Sequence, residues 1–185
     1  LKKSLWSAET FEERESAGVI FSILSPDGDD GYPGNLKVTA TYSWNEQNEL
    51  HFELEAETDK ACPINLTQHA YFNLAGKQAE DIKEHELLIC AQKRLAYYDD
   101  GIPTGEIIDN IDTPYDFTFP TTIGDALAKN ECFDVNMILE EKDELKLAAE
   151  LTDPVSQRKL EIHTTRPSIH LYSANHLEEV AAKKG

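Results

Sequence analysis

Six histidines, His51, His69, His85, His163, His170 and His176, are the residues of this sequence best suited to moving protons near neutrality, because a free imidazole titrates near pH ~6.5. None is spaced as HxH or HExxH, and no Cys/His group has the spacing of a zinc site. GxSxG, a phosphate-cradling glycine loop and a dinucleotide fingerprint are also absent. His51 and His163 occupy polar positions of alternating segments and read as solvated, while His85, between Glu84 and Glu86, reads as half of a surface ion pair. The surroundings of His69 differ. In Pro63-Ile64-Asn65-Leu66-Thr67-Gln68-His69-Ala70-Tyr71-Phe72-Asn73-Leu74-Ala75-Gly76 an imidazole stands among amides and aromatic rings, on what reads as a strand closed by a glycine. On local chemistry alone, a hydrogen-bonded core histidine is the better reading than a catalyst.

The elements that must hold this segment show a period of two. Leu36, Val38, Ala40, Tyr42 and Trp44 alternate with polar residues, Asn45-Glu46-Gln47-Asn48 turns the chain, and Leu50, Phe52, Leu54 and Ala56 resume the alternation. That pattern is an antiparallel hairpin with one face covered. A second hairpin is expected from Leu145, Leu147, Ala149 and Leu151 through Asp153-Pro154 to Leu160 and Ile162. Shorter strands are expected at 18–24, 86–91 and 168–173, with turns at Ser25–Gly28, Tyr32–Gly34 and Ile102–Gly105. Helix is expected only at 122–129, capped by Thr121 or Thr122, and at 176–184. Many short strands with little helix imply an all-β sandwich or barrel.

Composition narrows the function classes. The 185 residues include 17 Lys+Arg and 35 Asp+Glu, for a formal net charge of −18. So acidic a chain argues against nucleic acid as a partner, since binding a polyphosphate rests on basic side chains. No apolar stretch approaches the roughly 18–20 residues of a membrane span. Three cysteines, Cys62, Cys90 and Cys132, leave one over in any disulfide scheme and suit a reducing, cytoplasmic compartment. Asn65-Leu66-Thr67 has the form of a glycosylation acceptor. The chain opens Leu1-Lys2-Lys3 without an initiator methionine, so a piece of something longer is expected.

The His69 segment resembles the signature of the aldose 1-epimerase (galactose mutarotase) family, NLTNHSYFNLAG. Further motifs are similar in the family's order: Ser25-Pro26-Asp27-Gly28 with Gly31-Tyr32-Pro33-Gly34-Asn35-Leu36, then Thr58–Pro63, Pro103-Thr104-Gly105-Glu106, Thr113-Pro114-Tyr115-Asp116-Phe117, Phe133-Asp134-Val135-Asn136, and Thr165-Arg166-Pro167 through Asn175. The resemblance implies an antiparallel β-sandwich, here one partial domain over residues 1–185. It implies interconversion of the α and β anomers of free hexoses such as galactose and glucose, without metal or nucleotide cofactor. It assigns His69 as the acid that protonates the ring oxygen, Asp134 as acceptor of a sugar hydroxyl, and His170 to the place of a glutamine that helps hold the sugar.

Departures from the family pattern matter equally. The family's arginine and second histidine precede the region equivalent to Leu1, and its glutamate base follows the region equivalent to Gly185. Glu178 and Glu179 lack that motif context. His170 cannot reproduce the donor and acceptor of an amide unchanged; Val135 replaces a histidine, and Gln157 replaces the glycine of an S-G-R turn. An internal fragment of an aldose 1-epimerase is therefore expected, weak or inactive alone. The alternative is a non-catalytic sugar-binding protein on the same scaffold. A relative acting on phosphorylated hexoses, with Arg166 as its thin support, and a plain interaction domain are the remaining readings.

Overall fold

The computed structural model describes residues 4–76, 81–141 and 144–174, and the chain divides into two compact units, Leu1–Ala70 and Tyr71–Gly185. The first is a four-stranded antiparallel sheet of β1 (Ser7–Glu12), β2 (Ser16–Ser25), β3 (Leu36–Asn45) and β4 (Leu50–Thr58), in that spatial order. The alternation that predicts the β3–β4 hairpin fixes its register, Trp44 opposite Leu50, Tyr42 opposite Phe52 and Ala40 opposite Leu54. Asn45 shapes the turn by accepting the amides of Gln47 and Glu49 on its side-chain oxygen, 3.0 Å each. On one face Tyr42 meets Phe21 edge-on at 6.2 Å and Phe52 at 4.6 Å, over a buried Val38. β1 leaves no sequence signal because it is almost wholly exposed. Its Phe11 covers Gly18, where an added Cβ would lie 2.3 Å from the Tyr42 carbonyl and 2.5 Å from the Phe11 ring.

The second unit holds two four-stranded antiparallel sheets. One contains β5 (Glu86–Ile89), β8 (Thr121–Thr122), β10 (Lys146–Asp153) and β11 (Arg158–Thr164), in the order β11-β10-β5-β8. The other contains β6 (Lys93–Tyr97), β7 (Pro103–Asp109), β9 (Asp134–Ile138) and β12 (Ser168–Tyr172), in the order β12-β9-β6-β7. Leu87 and Ile89 from the first sheet, Val135 and Met137 from the second, and Phe117 and Phe133 from the connections form one apolar cluster. The all-β, antiparallel expectation holds. α1 (Ile123–Asn130) is capped by Thr122, whose hydroxyl accepts the Asp125 amide at 3.2 Å.

Two expectations change, and a third lies beyond what the structure describes. Pro103-Thr104-Gly105 opens β7 rather than making a turn; the reversal lies earlier, where Gly101 donates to the Tyr98 carbonyl and Tyr98 to that of Ile102. Proline is tolerated there because β7 is an edge strand and Pro103 its first residue. In β10 the alternation breaks at a bulge between Leu147 and Ala149, so Ala148 and Ala149 are both buried. The helix expected at 176–184 falls outside the described residues.

Candidate active site

β9 sorts its side chains by alternation. Phe133, Val135, Met137 and Leu139 point into the core, and Asp134 and Asn136 point out of it. β12 runs alongside with His170 opposite Asn136 and Tyr172 opposite Asp134. This brings two of the residues named above together: His170 Nε2 lies 2.8 Å from Asp134 Oδ1, with the side chains 45% and 48% exposed. His170 Nδ1 lies 3.2 Å from the Asn136 side-chain oxygen. Asn136 in turn donates from its side-chain amide and its backbone N–H to the Tyr97 hydroxyl, at 2.9 and 3.1 Å. Beside them the Tyr71 and Tyr172 rings stand 6.1 Å apart.

One outward face thus gathers a carboxylate, an imidazole, an amide and phenols, groups that exchange hydrogen bonds with sugar hydroxyls, next to rings that can cover a sugar's apolar face. Both His170 nitrogens are engaged. With the Asn136 oxygen toward the ring, both nitrogens donate and the ring is cationic; with that amide turned, Asn136 donates and the ring is neutral. In neither case is the imidazole free to take a proton from a ligand while these bonds last. Val135 is 4% exposed in the core, so its departure from the family's histidine leaves this face unaltered.

His69 belongs to the first unit and is exposed, as are Gln68 and Ala70. A buried core histidine is therefore excluded. The strand expected there is not formed, because no described strand pairs with residues 61–73 and an unpaired backbone has no ladder to hold it. The segment is held by side chains instead. Leu66 and Thr67 line a cleft of about 510 Å³ with Trp6, Phe21, Tyr42, Phe52 and Leu54. The Gln68 side-chain oxygen accepts the Ala70 amide at 3.1 Å, spanning His69, and Asn73 accepts the Ala75 amide at 3.1 Å.

His85 also departs from expectation. It is 1% exposed, and its Nε2 accepts the Leu74 amide at 3.0 Å. β5 alternates inward at 85, 87 and 89, a phase the flanking glutamates conceal. The other conspicuous motifs are structural fasteners. Asp27 accepts the Gly34 amide at 2.6 Å and pairs with Lys60; Asp59 takes both the backbone and side-chain amides of Asn35, each at 2.7 Å. The hydrogen bond from Lys60 holds the Asp27 carboxyl below the usual range, and Asn35 does the same for Asp59. Gly34 adopts φ +87, with an added Cβ 2.8 Å from the Thr58 hydroxyl.

Among the described residues no three His, Cys, Asp or Glu side chains are placed to hold a metal ion. Reading the sequence gave no role to Asn136, Tyr97, Tyr71 or Tyr172. The first was visible within its motif, but Tyr97 sits in a strand without a clean pattern and is reached only through the pairing of β6 with β9.

The fold is an antiparallel β architecture shared with solved epimerase structures. A galactose 1-epimerase structure from Lactobacillus acidophilus NCFM superposes with a TM-score of 0.82 at 31% identity, covering 94% of this chain and 52% of that one. An aldose epimerase homologue from C. elegans gives the same TM-score and identity over 93% and 52%. The aldose 1-epimerase family model matches residues 1–185, and the chain belongs to that family. It is 39% identical to galactose mutarotase of Rattus norvegicus over 178 residues, which is 95% of this chain and 51% of the relative. Against aldose 1-epimerase of Escherichia coli (strain K12) identity is 34% over 182 residues. The chain therefore spans about half the length of the curated relatives it matches.

Proposed function

We propose that this chain carries the acid side of an aldose 1-epimerase, an isomerase site for free hexoses such as galactose and glucose. His69 gives a proton to the ring oxygen as a carboxylate base takes the anomeric proton. The C1–O5 bond then breaks, the aldehyde turns over, and the ring recloses with acid and base exchanged. Asp134 accepts a sugar hydroxyl and His170 orients it. The resemblance puts the base, a glutamate, after the region equivalent to Gly185, and no carboxylate of this chain is assigned that role. The observation that carries the reading is the outward Asp134–His170 pair beside Tyr71 and Tyr172. Further support comes from the exposure of His69 and from the match to relatives named galactose mutarotase over 95% of the chain. Residues 1–185 belong to a single domain in this reading. Its place is the cytoplasm, which suits three cysteines that are all unpaired; nucleic acid is not a partner, and among the described residues no helix is long and apolar enough to cross a membrane.

Polarimetry on fresh α-D-galactose, with an NMR titration of the same sample, tests the proposal. Galactose should shift the His69, Asp134 and His170 resonances while the 185-residue chain leaves mutarotation at the buffer's own rate. Absence of any sugar-dependent shift at these residues would overturn the site, and rapid mutarotation would place a base within this chain. The pairing of His170 with Asp134 favours one second reading, a sugar-binding protein without catalysis. It differs in a chain of the relatives' full length, where galactose would bind with no acceleration.

A further inference from the structure

Leu74, five residues after His69, has its main chain satisfied by side chains at both ends. Its carbonyl accepts from Arg158 Nη1 at 2.8 Å and from the Ser156 hydroxyl at 3.2 Å. Its N–H donates to His85 Nε2 at 3.0 Å. Arg158 and Ser156 are charged or hydroxylic donors whose bonds survive ordinary changes of pH. The third bond is of another kind. A ring nitrogen that accepts must carry no proton, so this contact requires neutral His85 with its hydrogen on Nδ1. That Nδ1 is buried and has no hydrogen-bond partner among the described residues. A buried donor left unsatisfied is costly and rare, so the ring is held in this tautomer by Leu74 rather than by any bond of its own.

We propose that His85 is a proton-sensitive positioning residue for the Tyr71–Gly76 stretch of the signature segment. A proton and the Leu74 N–H compete for the same Nε2 lone pair; when the proton wins, two donors face each other and the bond becomes a repulsion. The held arrangement binds one proton fewer at Nε2 than the released one, so acid favours release. The groups around the ring act in the same direction. Asp153, at the end of β10 and 1% exposed, and Asp81, in the turn before β5, both interact electrostatically with His85, and each carboxylate attracts the incoming charge. Lys83 offsets Asp81 by pairing with it at 3.2 Å, and Arg158 of β11 opposes the charge from the far side of Leu74. From α1 the Ile123 amide donates to the His85 carbonyl at 2.9 Å; Asp125 in its first turn is exposed. Glu84 and Glu86 flank the ring in sequence on the exposed side.

The inference needs no sugar and no activity, so it stands or fails apart from the proposed function. The test is ¹⁵N NMR of the imidazole, with amide hydrogen exchange at Leu74, on the 185-residue chain from pH 8 to pH 5. At pH 8 the imidazole nitrogens should report a proton on Nδ1 and none on Nε2. Leu74 protection, corrected for intrinsic exchange, should fall at least about tenfold by pH 5. His85→Gln offers an amide oxygen as acceptor and does not titrate, so its Leu74 protection should be flat over the same range. A proton on Nε2 at pH 8, wild-type protection that does not change with pH, or a pH-dependent loss retained in His85→Gln would each overturn the proposal. The tautomer measurement on the wild-type chain decides it even where the variant fails to fold.

Discussion

Gln157 stands in the β10–β11 turn at φ +60, a conformation natural to glycine, and the family's S-G-R pattern has glycine there. The turn leaves it little room to relax. The Gln157 amide donates to the Asp153 carbonyl at 2.8 Å, and the Asp153 carboxylate accepts the amides of Val155 and Ser156 at 3.3 and 3.0 Å. Left-handed backbone costs a residue with a Cβ roughly 1–2 kcal/mol. Glycine returns about 0.4–1 kcal/mol of that through the greater freedom of its unfolded chain. Gln157→Gly should therefore stabilise by about 0.5–1 kcal/mol, raising Tm by roughly 1–4 °C at this chain length. Urea unfolding at pH 7, with the slope m compared between variants, measures it. Gln157→Ala is the control, because it keeps the Cβ and the strain and should gain nothing. A glycine variant no more stable than the alanine one would refute the reasoning, as would a rise in stability for both.

Two further outcomes are expected. Because Asp27 and Asp59 have carboxyls held below their ordinary value of 3.8, the stability they contribute is complete above that value and lost as pH falls through the lowered folded values; urea midpoints at pH 7, 4 and 3 should drop less in Asp27→Asn than in the wild type, and an equal drop would dismiss the Asp27–Lys60 fastener as the cause. His170→Gln exchanges a half-exposed pair that contributes about 0–1 kcal/mol for an amide that can bond the same carboxylate and still offer its oxygen, so calorimetry should show galactose affinity unchanged to roughly fivefold tighter, whereas clearly weaker binding would show that the imidazole itself holds the sugar.

Legibility in the sequence followed burial. β3, β4, β10 and β11 were readable because apolar and polar residues alternate along them and that alternation survives in the letters, apart from the bulge at Ala148. β1 and β7 are edge strands with few buried side chains, so nothing in their composition separates them from loops. His85 misled because its two glutamate neighbours point outward while the ring points in, which a three-residue window cannot distinguish from a surface cluster. Asp134 and His170 were recognisable only by resemblance. Their meeting depends on the antiparallel register of β9 with β12, which sets His170 opposite Asn136 and reaches Asp134 on the diagonal.

That register also separates the departures that touch the site from those that do not. A substitution at an even-numbered position of β9 or β12 changes the outward face; one at an odd-numbered position changes the core. Val135 falls in the second class and His170 in the first, so the two departures carry unequal weight for the non-catalytic reading. Val135 is buried in the core, away from the outward face of β9. At position 170 an imidazole occupies one Asp134 oxygen, 2.8 Å from its Nε2. A glutamine in the same place would meet the carboxylate differently, since an amide can donate to it and still present its oxygen to the sugar hydroxyl proposed to bind here. Of the two departures, only the one at position 170 therefore bears on the carboxylate proposed to hold the sugar, because that side chain faces outward and nothing in the core depends on it.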